Sequence, residues 1–421
     1  MEEWKEYKLG DCVEAVIDNR GKSAPTKPLG EFPLLEINSI GGYYPNYSVI
    51  RKYVDKVTYN TWFRSGHPIC GDILIPTVGT IGIISIMDNH KACIAQNLIA
   101  LRTKKEISNI FIYYFLKSPI VKKQLINLDI GGVQPSIKVP HLLNLSISLP
   151  EKDIQHKIAS ILSSLDDKIE VNRKINDNLE QQAQALFKSW FVDFEPFKDQ
   201  PFVDSELGMI PQGWRVCRAD EVFDINIGKT PPRKEPEWFT KNTSDNIWVS
   251  IADMGSCGMF VSESSEYLTN EAINRFNILM VDEGSVLLSF KLTVGRVAIA
   301  DTRLTTNEAI ARFQLPQSYY REFLYLYLKQ YKYGNLGSTS SIATAVNSKT
   351  IKGMKLITPP EDVISCFSKH TKPLFDKIKV LSQESRCLAE LRDTLLPRLM
   401  SGELRVTDMD LVNKLMENNI F

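Results

Sequence analysis

The chain states nearly the same pattern twice. Asp167, Lys168, Ile169, Val171, Leu179 and Leu186 recur as Asp376, Lys377, Ile378, Val380, Leu388 and Leu395, each 209 positions on. Gly71, Leu74, Thr80, Gly82 and Ile86 recur as Gly284, Leu287, Thr293, Gly295 and Ile299, each 213 positions on. A register kept over so many residues marks a duplication, and the small drift between blocks marks a change in loop length. Each copy far exceeds the roughly 20–50 residues of a solenoid repeat. The chain must therefore fold as a pair of like domains with internal pseudo-symmetry. Such a molecule suits a target that presents two comparable sites.

Two kinds of segment alternate along the 421 residues. Residues 1–150 and 201–360 are strand-rich, with short β-branched runs between glycines: Ile73-Leu74-Ile75, Ile83 to Ile86, Val286-Leu287-Leu288 and Val297-Ala298-Ile299. Helices are expected near 108–127 and 318–332. Residues 151–200 and 361–421 are helical instead. Ile154, Ile158, Ile161, Leu165, Ile169, Ile175, Leu179, Leu186 and Trp190 recur at about 3.5-residue steps, the spacing of a coiled-coil seam. Ile364, Phe367, Leu374, Ile378, Leu381, Leu388, Leu391, Leu395 and Leu399 form the second seam. Asn172, Asn176 and Asn178 sit mid-helix, where a seam asparagine fixes register. Pro373 predicts a kink or restart in the second helix, and Pro397 its end. Neither helix can bury its stripe alone, so the two are expected to pack antiparallel. Prolines and turn residues from Phe194 to Trp214 break the chain between the first helix and the second strand-rich domain. The expected fold is α+β: two strand-rich heads separated by a pair of long antiparallel coiled-coil helices.

Charge and cysteines narrow the function. The 50 basic and 50 acidic residues cancel, which argues against an indiscriminate nucleic-acid coat. The balance is uneven, however: 17 basic against 13 acidic side chains over residues 1–150, but 7 against 10 over 151–200. Nucleic-acid contact would need local basic faces. The seven cysteines lack C-x-x-C or ligand spacing, as expected of reduced packing residues in a cytoplasmic protein. No apolar run approaches the roughly 20 residues that span a bilayer, so no membrane partner is expected.

Both heads carry Gly-Lys-[Ser/Thr] near their start, as Gly21-Lys22-Ser23 and Gly228-Lys229-Thr230. A Walker A loop would need glycine where Val16 and Phe223 stand, so nucleotide binding is not indicated. Either these are polar turns, or their amides, lysine and hydroxyl meet a phosphate backbone. Thr230, Arg233 and Lys234 lie close to Trp238 and Phe239, a basic and aromatic mixture suited to nucleic acid, though a solvated loop has the same composition. Gly131 to Ser136 and Gly337 to Ser341 precede the last strand of each head and offer donors and acceptors to base edges. The candidate DNA contacts are Lys22, Ser23, Lys27, Thr80, Gln134 and Ser136 in the first head. In the second they are Lys229, Thr230, Arg233, Lys234, Lys291, Thr293, Ser338 and Ser340. There is no N-P-P-[YF], no H-E-x-x-H, and the five histidines make no metal pattern, so neither catalytic nor metal-ligating residues are assigned.

In combination, several segments resemble the DNA-specificity subunit of type I restriction–modification systems along essentially the whole chain. They are Ile227 to Pro232 with Trp248 to Met254, Leu186 to Phe197 with Ile210 to Trp214, and Leu395 to Leu404. The resemblance implies two target-recognition domains, each reading half of a split site on double-stranded DNA, joined by helical spacers. It implies a subunit without chemistry or cofactor of its own. Its partners would be two adenine-N6 methyltransferase subunits using S-adenosylmethionine and, in the full complex, restriction subunits using ATP and Mg. Trp190, Phe191, Leu399 and Met400 are the residues expected at the partner interface. The first head departs from the family pattern, reading Gly21-Lys22-Ser23-Ala24-Pro25. A scaffold with two protein-binding heads and no DNA contact is the alternative.

Helices of about 40 residues at roughly 1.5 Å each would span on the order of 60 Å and act as a ruler between half-sites. Inserting four residues between 172 and 176 should then lengthen the spacer of the recognised site by about one or two base pairs. Methylome sequencing reads this directly, and an unchanged spacer would refute the ruler.

Overall fold

In the computed structural model, which describes residues 4–21, 23–127, 135–335 and 346–406, the repeated sequence becomes a repeated strand order. In the first half Val13–Asp18, Leu98–Thr103, Ile73–Pro76 and Ser85–Ile86 lie side by side in that order, all antiparallel. In the second half Asp224–Ile227, Ile310–Gln314, Val286–Ser289 and Val297–Ala300 repeat it, and Phe260–Val261 adds a parallel edge. Ile73–Pro76 and Val286–Ser289 are buried at every position, because each has a strand on both sides. A smaller sheet accompanies each: Tyr53–Val54, Phe32–Leu35 and Cys93–Ile94 in one, Tyr267–Leu268, Asn246–Val249 and Thr305–Thr306 in the other. The first and last strands of each head pair antiparallel, Lys5–Lys8 with Ser146–Leu149 and Arg215–Arg218 with Lys355–Thr358. That pairing closes each head just before a long helix begins.

The long helices are Lys152–Phe191 and Glu361–Met400, 40 residues each and 209 positions apart at both ends. The second is continuous through Pro373 and extends past Pro397, so the expected break and early end do not occur. Pro373 removes the hydrogen bond to Lys369, and both residues are exposed, where water can serve the carbonyl. Pro397 lies in the last turn, which runs on to Met400. The helix expected over 108–127 is instead two, Asn109–Lys117 and Pro119–Asn127, because Pro119 disfavours helical backbone at Ser118. The helix expected over 318–332 spans Tyr320–Gln330.

Packing divides the chain into two units, residues 1–171 with 384–421, and residues 172–383. In each unit a head packs on segments of both long helices, and those segments run antiparallel. In the first unit Asp166 meets Arg392 and Lys168 meets Glu384. In the second Asn176 donates to Ser382 at 3.2 Å, and the rings of Phe191 and Phe367 lie 4.8 Å apart. Asn172 is fully buried and Asn176 half-buried, whereas Asn178 faces solvent and accepts from Gln182. Two of the three asparagines thus occupy the seam. The Phe194 backbone turns left-handed, at φ 53°, and ends the first helix, after which Phe197 and Trp214 pack with Phe191.

A buried tyrosine ties each head to the helices. Tyr114 donates to Asp166 at 2.7 Å in the first unit, and Tyr325 donates to Glu180 at 3.0 Å in the second. Asp166 is only 3% exposed and also meets Lys117 at 3.6 Å. Burial pushes the Lys117 ammonium pKa down, and Asp166 opposes that shift. The positions 209 residues from Asp166 and Arg392 are Phe375 and Ala183, both buried in the second unit, where the Tyr325 ring meets Phe375 at 5.5 Å. One junction is ionic and its counterpart apolar, two solutions of comparable net stability. Arg392→Ala should cost about 3–5 kcal/mol by leaving the Asp166 carboxylate buried beside only Lys117 and Tyr114. Combining it with Asp166→Phe should recover part of that loss. Hydrogen exchange over residues 109–127 and 152–170 measures both effects.

Candidate nucleic-acid interface

The second head holds its basic residues in fixed positions. Gly228 follows the edge strand Asp224–Ile227 and packs so closely that a Cβ there would lie 2.2 Å from the carbonyl oxygens of Thr306 and Asn307. The Lys229 N–H donates to Thr306 O at 3.0 Å, and its carbonyl accepts from the Trp248 indole at 3.1 Å. Lys229 Nζ donates to the carbonyls of Phe276 (3.2 Å) and Asn277 (3.1 Å). The Thr230 hydroxyl donates to the Glu308 carboxylate. Arg233 pairs with Glu266 at 2.8 Å and lies over the rings of Phe239 (4.2 Å) and Trp248 (4.7 Å). Lys234 is exposed beside them. Lys229 and Arg233 are therefore oriented before any ligand arrives, which lowers the ordering cost of binding a polyanion.

The matching Gly-Lys-Ser of the first head is not its structural counterpart. Ile73 and Val286 are equivalent central-strand positions, which makes Leu101 equivalent to Phe313 and Ile99 to Ala311. Asp18 pairs with Ile99 and Ile227 with Ala311, so Asp18-Asn19-Arg20 align with Ile227-Gly228-Lys229. Gly21 stands in an open turn at φ 126° with no neighbour near its Cβ position. Arg20 is the residue that pattern-matching overlooked. Its guanidinium is held by Asp18 through bonds of 2.5–2.9 Å, and this lowers the Asp18 carboxyl pKa. Only strand register could have singled it out.

The other candidates scatter over each head. Lys22, Gln134, Ser338 and Ser340 lie outside the described residues. Ser23 is exposed, and Lys27 pairs with Asp55 at 3.0 Å at the surface. Thr80 is exposed on a turn flanked by Gly79 and Gly82, both at positive φ, and Ser136 is bridged to Val78 in the same turn. Lys291 and Thr293 are exposed on the equivalent turn of the second head. Thr80 and Ser136 thus meet in one place, as do Lys229 and Arg233 around Trp248.

The four expected interface residues are largely interior. Leu399 is fully buried, Phe191 is 5% exposed, and Trp190 is half-buried against Phe197, Phe367 and His370. Met400 packs on the edge of the first unit's core. Phe191 also lines an apolar cleft of about 640 Å³ with Leu207, Met209, Tyr327 and Met354. Among the described residues no group of three His, Cys, Asp or Glu side chains could hold a metal ion. No helix among them is long and apolar enough to cross a membrane.

Twin α+β heads with one scaffold and differing surface turns, braced on antiparallel helices, define a two-headed recognition protein. The sequence matches the Type I restriction modification DNA specificity domain over residues 1–181 and 211–364, and the chain belongs to that family. It is 30% identical over 351 residues to the MjaIX specificity subunit of Methanocaldococcus jannaschii, covering 80% of this chain and 79% of that one. It is also 30% identical over 335 residues to the HindI specificity subunit of Haemophilus influenzae, with 65% and 72% covered. The crystal structure of the type I system S subunit from M. genitalium has the same fold, at TM-score 0.53 and 16% identity over 94% of this chain and 96% of that one. The chain is a type I specificity subunit, a recognition component rather than a catalytic one.

Gly228→Ala should destabilise the second head by about 3 kcal/mol or more, since the new methyl group meets backbone rather than a movable side chain. Gly21→Ala should cost about 1 kcal/mol, from backbone strain alone. Thermal unfolding of the two variants checks that these look-alike motifs are physically different.

Proposed function

We propose that the chain reads an asymmetric, two-part site on double-stranded DNA, one half with each head, and positions two adenine-N6 methyltransferase subunits on it. Residues 1–150 and 201–360 act as the readers, and residues 151–200 and 361–421 as spacers and docking surfaces. S-adenosylmethionine belongs to the methyltransferase partners. ATP and Mg belong to restriction subunits in the full complex, and the assembly works in the cytoplasm. The observation that carries this reading is the repeated strand order combined with unlike turns. A shared scaffold gives both heads the same way of approaching DNA, while different side chains on its turns give each its own sequence preference.

Two like partners need two like docking places. Val171 and Val380 stand 209 positions apart on the long helices, one in each unit, and are 49% and 54% exposed. Apolar side chains left open at equivalent positions suit identical subunits, each seated on one copy of the repeat. Trp190 and Met400 retain partial exposure for the same contacts, whereas Phe191 and Leu399 support them from within. The assembly-scaffold reading predicts no DNA selectivity with or without the methyltransferase, and a retention assay on random-sequence duplexes separates the two.

Replacing residues 201–360 with the second head of a relative should change one half of the methylated site and leave the other half intact. Base-resolution adenine-methylation mapping reads the result. A change in both halves would show that the heads do not read independently.

A further inference from the structure

The turn that follows the central strand of each head is built alike and tipped differently. Val78-Gly79-Thr80-Ile81-Gly82 in the first head corresponds to Lys291-Leu292-Thr293-Val294-Gly295 in the second. Gly79 has φ 89°, and Leu292 stands at the same place with φ 59°. Left-handed backbone suits glycine and strains leucine. The Thr293 N–H donates to Lys291 O at 2.6 Å, closing a three-residue turn around Leu292, and with positive φ at its centre this is the rarer, strained hand of that turn. Leu292 is also 98% exposed, the most open large apolar side chain among the described residues. Strain and full exposure at a single leucine are both unfavourable to the isolated protein.

The rest of the turn holds this side chain outward. Phe290 is 1% exposed and bonded to Ala309 O at 2.9 Å. Ser289, fully buried, donates through Oγ to Thr293 O at 2.5 Å and accepts from the Arg296 N–H at 3.0 Å. The Gly295 N–H donates to Ser289 O at 3.0 Å. Lys291 holds its ammonium group over the Phe290 ring, with Nζ 5.7 Å from the centroid, and stays exposed beside the tip. Thr293, exposed, flanks the other side. A protein partner would be met by a contiguous apolar patch, but Leu292 is a single apolar point between a cation and a hydroxyl. That arrangement fits a DNA groove, where lysine meets phosphate and an aliphatic group meets the thymine methyl.

We propose that Leu292 is a specificity-determining residue that contacts a thymine 5-methyl group in the major groove of the second head's half-site. This rests on the reading that each head recognises half of a DNA site. The first head, with Gly79 at this place, makes no such contact.

The test uses the full chain with its methyltransferase partner and the duplex that this complex selects from random-sequence DNA. Each thymine of the site is replaced in turn by uracil, which removes only the methyl group. For the unaltered protein, one replacement in one half-site should weaken binding by about 4- to 10-fold. Leu292→Gly should weaken binding to the thymine duplex by a similar factor and abolish the difference between thymine and uracil. Its melting temperature should be unchanged or raised by about 1–3 °C, because the strain is gone. A merely structural role would lower stability and leave the uracil profile alone. A second variant, Leu292→Ala, should also lose the methyl discrimination. The inference is overturned if no thymine-to-uracil position in the second head's half-site separates Leu292→Gly from the unaltered protein. If the complex selects no sequence at all, the failure belongs to the two-part reading instead.

Discussion

Each head depends on burying the apolar seam of helices that cannot stand alone. A solitary helix of 40 residues with such a seam would leave a row of leucines and isoleucines in water, at about 25 cal/mol per Å². Antiparallel pairing covers that row, and the head's own helix covers what remains. Ile158, Leu162, Leu395 and Leu399 share one core with Phe111 and Tyr114, as Ala183, Phe187, Phe367 and Phe375 share another with Phe323 and Tyr325. Reader and support therefore form continuous cores, and each head's orientation on its helices is set by close packing rather than by a hinge. Tyr114 and Tyr325 add direction to that packing, because a buried hydroxyl is satisfied only where its carboxylate stands.

Much of this architecture was legible because it repeats. The constant offsets located the duplication before any element was assigned, and the 3.5-residue spacing located both helices. Local signals failed where tertiary context outweighed them. Pro373 reads as a break, yet the bond it removes falls on the wet face of a packed helix. Pro119, preceded by an extended Ser118, does divide a helix that periodicity alone runs together. The expected interface residues show another ambiguity: large apolar side chains near helix ends suit a partner or a core equally well. Phe191 and Leu399 went to the core.

The basic loops show why site residues are harder to read than fold. Gly228-Lys229-Thr230 and Gly21-Lys22-Ser23 look alike in one dimension, but strand register places Arg20, not Lys22, where Lys229 stands. The glycines serve opposite ends: one admits a neighbouring backbone, the other merely turns. Leu292 left no trace in any motif. Its significance lies in a dihedral angle and a missing neighbour, which no residue pattern encodes.

The unlike junctions at Asp166–Arg392 and Ala183–Phe375 bear on how such a chain could have arisen. Were two copies of the first repeat to associate, Asp166 of one would face Ala183 of the other, and the buried carboxylate would keep Lys117 and Tyr114 but lose its arginine partner. Two copies of the second would bring Arg392 against Phe375, leaving the guanidinium only Asp393 of its two carboxylate partners. Only unlike repeats match, so a fragment released by proteolysis or early termination is penalised for marrying its twin. An ancestor built as a symmetric homodimer would, after gene fusion and this divergence, have lost the road back.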